Sequence, residues 1–116
     1  MTTATSIETK VEIERNDENL LLCLNKLAVI MKKDYDKKGS EGNYSITFEF
    51  GSKYIKIIKT YWNSVSVAGF IVCSHNAKFP YGTMLKAASF KAPALNFSRG
   101  DIFEIEGKKV PWTGIQ

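Results

Sequence analysis

Tyr44-Ser45-Ile46-Thr47-Phe48-Glu49-Phe50, followed by Gly51-Ser52 and then Lys53-Tyr54-Ile55-Lys56-Ile57-Ile58-Lys59-Thr60-Tyr61-Trp62, is the stretch on which the fold turns. In the first segment Tyr44, Ile46, Phe48 and Phe50 alternate with Ser45, Thr47 and Glu49, a period of two that gives an extended strand one apolar face. The second segment is rich in β-branched and aromatic residues, and the glycine-led turn between the two predicts a hairpin. Side chains alternate across a strand, so Lys53 and Lys59 share a face with Ile55 and Ile57, while Lys56 joins Tyr54 and Ile58. The three lysines therefore form no single basic stripe, and their stems are expected to lie along apolar surface with the ammonium groups in water.

Working outward toward the C-terminus, Asn63-Ser64 punctuates the chain, and Val65 to Cys73 is nearly continuously apolar, as in a strand covered on both faces. Gly69 within it marks a bulge or a close backbone approach. After a turn-rich connection, Thr83 to Ala87 predicts a fourth strand, and Pro93 forbids one continuous helix across residues 88–98. Asp101 to Ile105 and Lys108 to Trp112 flank Glu106-Gly107 as a terminal hairpin that Pro111 confines to an edge. Toward the N-terminus, Leu20, Leu24, Leu27, Met31 and Tyr35 recur at spacings of four and three, widened by Leu21, Ala28 and Ile30, which predicts an amphipathic helix of about 18 residues. Asn16 or Asp17 caps it, and Gly39-Ser40-Glu41-Gly42-Asn43 ends it. Val11 and Ile13, alternating with Glu12 and Glu14, predict a further short strand. The fold class is α+β, with one N-terminal amphipathic helix packed on an antiparallel sheet of four to six strands. Residues 1–10 are expected to be a flexible arm and 11–116 a single domain.

Composition agrees with one folded unit. At 116 residues, 44% hydrophobic and 24% charged, the chain has one domain's worth of core and no excess of charge that would keep it unfolded. No basic segment followed by an apolar run opens the sequence, and no stretch approaches about 18 apolar residues, so neither a secretory signal nor a membrane partner is expected. Cys23 and Cys73 stand far apart without Cys-x-x-Cys spacing, which argues for two small core residues in a reducing, intracellular setting and against a zinc ribbon.

Catalysis is hard to staff. The one histidine, His75, lies two residues from Cys73, the seed of a thiolate and imidazole pair, but no orienting carboxylate is close in sequence. Carboxylates gather at the two ends of the chain without metal-ligand spacing, and the glycines form no phosphate loop. No enzyme, no metal and no cofactor are expected.

Charge says more. From Phe50 to Gly100 there is no Asp or Glu, while Lys53, Lys56, Lys59, Lys78, Lys86, Lys91 and Arg99 all fall in that window. Such a surface suits nucleic acid or another polyanion, which needs cations for phosphates and, for single strands, flat side chains on which bases stack. The candidate binding residues are Lys53, Lys56, Lys59, Tyr61, Trp62, Lys86, Lys91 and Arg99. Lys32, Lys33, Lys37 and Lys38 at the end of the helix are expected to be a solvated face favoured by the helix dipole rather than a phosphate site.

The window closes on Gly82-Thr83-Met84-Leu85-Lys86-Ala87-Ala88-Ser89-Phe90-Lys91-Ala92-Pro93-Ala94, then Ser98-Arg99-Gly100-Asp101-Ile102, with Trp112-Thr113-Gly114 at the end. This block resembles one found in small uncharacterised proteins of tailed bacteriophages, with Phe90 where a tryptophan is expected. The resemblance covers about half of the chain, from Lys53 onward. It implies a phage origin, a place in the host cytoplasm or in the virion, and no particular activity. Read physically, Ala87, Ala88, Ala92 and Ala94 permit close packing, and Phe90, Leu95 and Phe97 are expected to plug the end of the sheet around Pro93. Two readings of function follow: a non-enzymatic phage accessory protein that binds a polyanion, foremost nucleic acid, or a virion structural or assembly protein, or host-factor inhibitor, that acts by contact with viral or host protein.

Overall fold

The computed structural model describes residues 14–38 and 42–116, and the expected N-terminal arm and the strand at Val11 and Ile13 lie outside them. One helix, α1 (Asp17–Lys37), precedes a four-stranded antiparallel sheet of β1 (Tyr44–Phe50), β2 (Tyr54–Tyr61), β3 (Ser64–Val72) and β4 (Met84–Leu85), in that spatial order. This is the expected α+β class, with four strands.

The helix starts where a polar side chain can satisfy a free amide. Asn16 caps it by accepting from the Asn19 N–H at 2.8 Å, and Asp17 and Glu18 follow in the first turn, where the dipole favours negative charge. Its buried stripe is Leu20, Cys23, Leu24, Leu27, Met31 and Tyr35, which lies against Ile55, Ile57, Ile71 and Met84 of the sheet. On β1, Tyr44, Ile46 and Phe48 face the same core, as the alternation requires.

Pairing of Ile57 with Gly69 and of Ile58 with Val67 leaves Ala68 as an extra residue, a β-bulge in β3. The glycine beside the bulge is needed for space. A Cβ on Gly69 would lie 2.7 Å from Ile115 Cδ1 and 3.0 Å from the Leu85 carbonyl oxygen. The opposite sheet face carries a smaller core of Phe70, Val72 and Leu85, partly covered by Tyr54, Val67, Ala77, Phe79 and Ala87.

The last forty residues differ from the expectation in three ways. The fourth strand is only Met84–Leu85, extended by single bridges from Thr83 to Asp101 and from Ala87 to Pro93. No terminal hairpin forms there. Asp101 caps a 3-10 turn, Ile102–Glu104, by accepting from the Phe103 N–H, and burial of Ile102, Phe103 and Ile105 follows a turn rather than an alternation. The tail then runs back across β3, where the Ile115 N–H donates to the Ala68 carbonyl at 2.8 Å. Lastly, Phe90, Leu95 and Phe97 do not plug the sheet, for they are 51%, 40% and 61% exposed on an arch closed by the hydrogen bond from the Arg99 N–H to the Met84 carbonyl.

An aromatic cluster joins the C-terminal end of α1 to the tail. Tyr35 stacks on Tyr44 at 4.5 Å between centroids, both meet Trp112 edge-on, and the Tyr44 hydroxyl donates to the Trp112 carbonyl at 2.8 Å. Burial, and to a lesser degree the charge of Asp34, pushes the Tyr44 phenol well above its ordinary value. Above about pH 10 the unfolded chain releases that proton while the folded chain keeps it, so stability falls with rising pH. At pH 8 Tyr44→Phe should therefore be about 0.5–1.5 kcal/mol less stable than wild type. Above about pH 10 wild type should lose about 1.4 kcal/mol per pH unit relative to the variant, closing the gap. Urea midpoints at pH 8 and pH 11 check this; a gap that stays constant would contradict the buried phenol.

Candidate nucleic-acid interface

The eight residues expected to bind are dispersed by the fold. Lys53, Lys56 and Lys91 come together around a groove of about 380 Å³ at the β1–β2 turn, with Phe50, Tyr54 and Phe70 in its walls. Glu49 also lines it, however, and its carboxylate lies 3.5 Å from the Lys56 ammonium, which in turn sits 4.5 Å over the Phe90 ring. The acid-free window of the sequence is thus not acid-free in space.

Lys59 and Tyr61 point into the protein. The Lys59 ammonium donates to the Thr113 carbonyl at 3.2 Å and lies 5.4 Å over the Trp112 ring, and burial lowers its pKa. Tyr61 belongs to the aromatic cluster, 5.3 Å from Trp112. Both hold the C-terminal tail against β2. Lys86 is exposed on the arch, and its carbonyl accepts from the Ala94 N–H. The Arg99 guanidinium lies 5.5 Å over the Phe97 ring, and its Nε is buried without a hydrogen-bond partner. Of the two aromatic candidates Tyr61 and Trp62, Trp62 is open to solvent at 56% exposure, as are the aromatic rings of Phe90 and Phe97.

A more basic groove was not expected. Lys33, Lys37 and Lys38 from the end of α1 and Lys108 and Lys109 from the tail surround a groove of about 460 Å³ floored by Ile30, Val110 and Pro111. Its single carboxylate, Asp34, accepts through Oδ2 from the neutral Trp112 N–H at 2.9 Å, so five cations face one acid across the concavity. With the described residues none of these five lysines forms an ion pair, and the neighbouring Asp36 is taken by Lys32 at 2.7 Å. Five ammonium groups against one carboxylate, none of them ion-paired with the described residues, leave this concavity positive and able to neutralise phosphates of one ligand. The spacing of Lys33 and Lys37 on the helix face that bears Ile30 was a usable signal. Nothing local to either segment links them to Lys108-Lys109.

The Cys73 and His75 pair does not assemble. The Cys73 thiol donates to the Gly51 carbonyl at 3.4 Å, and burial raises its pKa, which disfavours the thiolate. The His75 ring stacks on Tyr81 at 4.8 Å, and the Tyr81 hydroxyl donates to Asp17. Among the described residues no group of three or more His, Cys, Asp or Glu side chains is placed to hold a metal ion, and no helix is long and apolar enough to cross a membrane.

No curated protein and no solved structure matches the chain. A family model matches residues 1–115, nearly the whole length, and on that evidence the chain belongs to a family of unknown function, DUF7717.

Proposed function

We propose that this chain is a non-enzymatic accessory protein of a tailed bacteriophage, acting in the host cytoplasm or in the virion, that binds nucleic acid through its phosphates. The observation that carries the reading is the groove of Lys33, Lys37, Lys38, Lys108 and Lys109, where five cations face the one carboxylate of Asp34. Two segments far apart in sequence are brought together there, each with its positive charge turned to the same concavity. The smaller groove of Lys53, Lys56 and Lys91 adds a secondary basic surface, weakened by Glu49.

Fluorescence anisotropy with a labelled oligonucleotide tests the proposal. Affinity should fall linearly with salt on logarithmic axes, with a slope of magnitude about 0.7–0.9 for each lysine that neutralises a phosphate. Absence of binding to single-stranded DNA, duplex DNA and heparin alike at low salt would sink it. The second reading, contact with a viral or host protein, draws on the open Phe90, Leu95 and Phe97 of the arch and would take over in that event.

A further inference from the structure

Trp62 sits where a tryptophan is not wanted by the backbone. It is the first residue of the two-residue connection between β2 and β3, closed by the Tyr61 to Ser64 pair, and its φ is 56°. Tight hairpins place glycine or asparagine in that left-handed conformation, since a Cβ and a bulky side chain cost roughly 1–3 kcal/mol there. Burial does not compensate, because the side chain is more than half exposed. Nor is the indole loose. A Cβ on Gly42 would overlap it and Tyr61 meets it edge-on at 6.3 Å, while the backbone N–H of Trp62 donates to the Asn43 carbonyl at 2.9 Å and fixes the turn. The protein thus holds a flat, open aromatic surface in one orientation at a position where turn formation favours a different residue.

The position of this surface gives it meaning. Trp62 touches Tyr61, Tyr61 touches Trp112, and the backbone of Trp112 is bonded to Asp34 on the wall of the lysine groove. An open π-face joined through two ring contacts and one hydrogen bond to the wall of a groove of five lysines is the combination that single strands require: cations tracking the backbone and an aromatic ring under a base. A duplex keeps its base faces stacked and could not use the indole.

We propose that Trp62 is a base-stacking platform and that the ligand of the adjoining groove is single-stranded nucleic acid, with phosphates neutralised by Lys33, Lys37, Lys38, Lys108 and Lys109. This inference rests on the polyanion reading above, and the test separates the two. Trp62→Gly suits the left-handed backbone and should fold at least as stably as other substitutions there. Its affinity for a labelled 12-nucleotide oligothymidylate probe should fall about 5- to 150-fold, the range expected for loss of one base–aromatic stack. Affinity for a 12-base-pair duplex and for heparin should change less than about 2-fold, since both depend on the lysines alone. Trp62→Phe, which keeps a ring, should recover part of the loss. If Trp62→Gly binds the single strand as wild type does, or loses affinity for all three probes equally, the stacking platform is wrong and the polyanion reading stands. If wild type binds none of the probes, the polyanion reading itself fails.

Discussion

Gly114→Ala should destabilise the fold by at least about 2 kcal/mol and weaken anion binding at the same time. Gly114 has φ 130°, a conformation that a residue with a Cβ adopts only under strain, and that Cβ would meet the Ala68 carbonyl oxygen at 2.7 Å and Cα at 3.1 Å. Those are backbone atoms of β3 at the bulge, which cannot swing aside as a side chain would. Relief requires the tail to lift, which breaks the Ile115 to Ala68 hydrogen bond and exposes Ile115, now 6% accessible. Lys108 and Lys109 reach the groove on this same tail, so loss of seating should loosen one wall of the site. Gly107→Ala is the control. Gly107 also has positive φ, 82°, but its Cβ would meet nothing within 4 Å, so only the backbone term of roughly 1 kcal/mol applies. Urea denaturation of the two variants side by side measures the difference; equal losses would mean that the tail is not pinned at Ala68.

Reversing Lys108 and Lys109 together to glutamate should reduce affinity for a labelled oligonucleotide by roughly 100-fold or more at low salt and flatten the salt dependence by at least about 1.4 in slope. Both side chains are exposed and unpaired with the described residues, so stability should change by less than about 0.5 kcal/mol. The matched control is reversal of Lys53 and Lys91, which takes the net charge from +4 to the same value of zero. If charge alone governed binding, the two double variants would be equivalent. If the groove at the end of α1 is the site, the Lys53 and Lys91 variant should lose less than about 10-fold, because that groove contains Glu49 and its central lysine is already paired. Equal losses would place binding in the overall field of the protein rather than in this concavity.

The sheet and the helix were legible for local reasons. Alternation from Tyr44 to Phe50 and the apolar run through β3 have a period of two, the stripe from Leu20 to Tyr35 has a helical period, and Asn16 is a capping residue next to acids. Gly69 was legible because a glycine in an apolar strand has few uses other than close approach. The tail was not, because its conformation is set by contacts between Ile115 and Ala68 and between Tyr44 and Trp112, far apart in sequence and without periodic trace. Alternation in Asp101 to Ile105 favoured a strand, yet the Asp101 carboxylate offers its own chain a cap and so a turn.

The site failed in the sequence for a related reason. A run without acids in sequence is not a surface without acids, for pairing β1 with β2 sets Glu49, one residue outside the run, beside Lys56. Lys59 was spent on holding the tail, through Trp112 and Thr113. Meanwhile Lys33, Lys37 and Lys38 look like any solvated helix end until the tail supplies Lys108 and Lys109 across from them. Trp62 is the reverse case, for its residue type is plain in the sequence while its meaning depends on a φ angle and an exposure that no sequence states.

Two-dimensional amide NMR of the labelled protein, titrated with a short oligonucleotide, tests the central claim most directly. Shifts should concentrate at Lys33 to Lys38, at Lys108 to Trp112, and at Trp62 with its indole N–H, leaving Gly51 to Lys53 and the Ser89 to Ala92 turn nearly unmoved. Shifts confined to that second region, or spread evenly over every lysine, would contradict the assignment of binding to the groove between the helix and the tail.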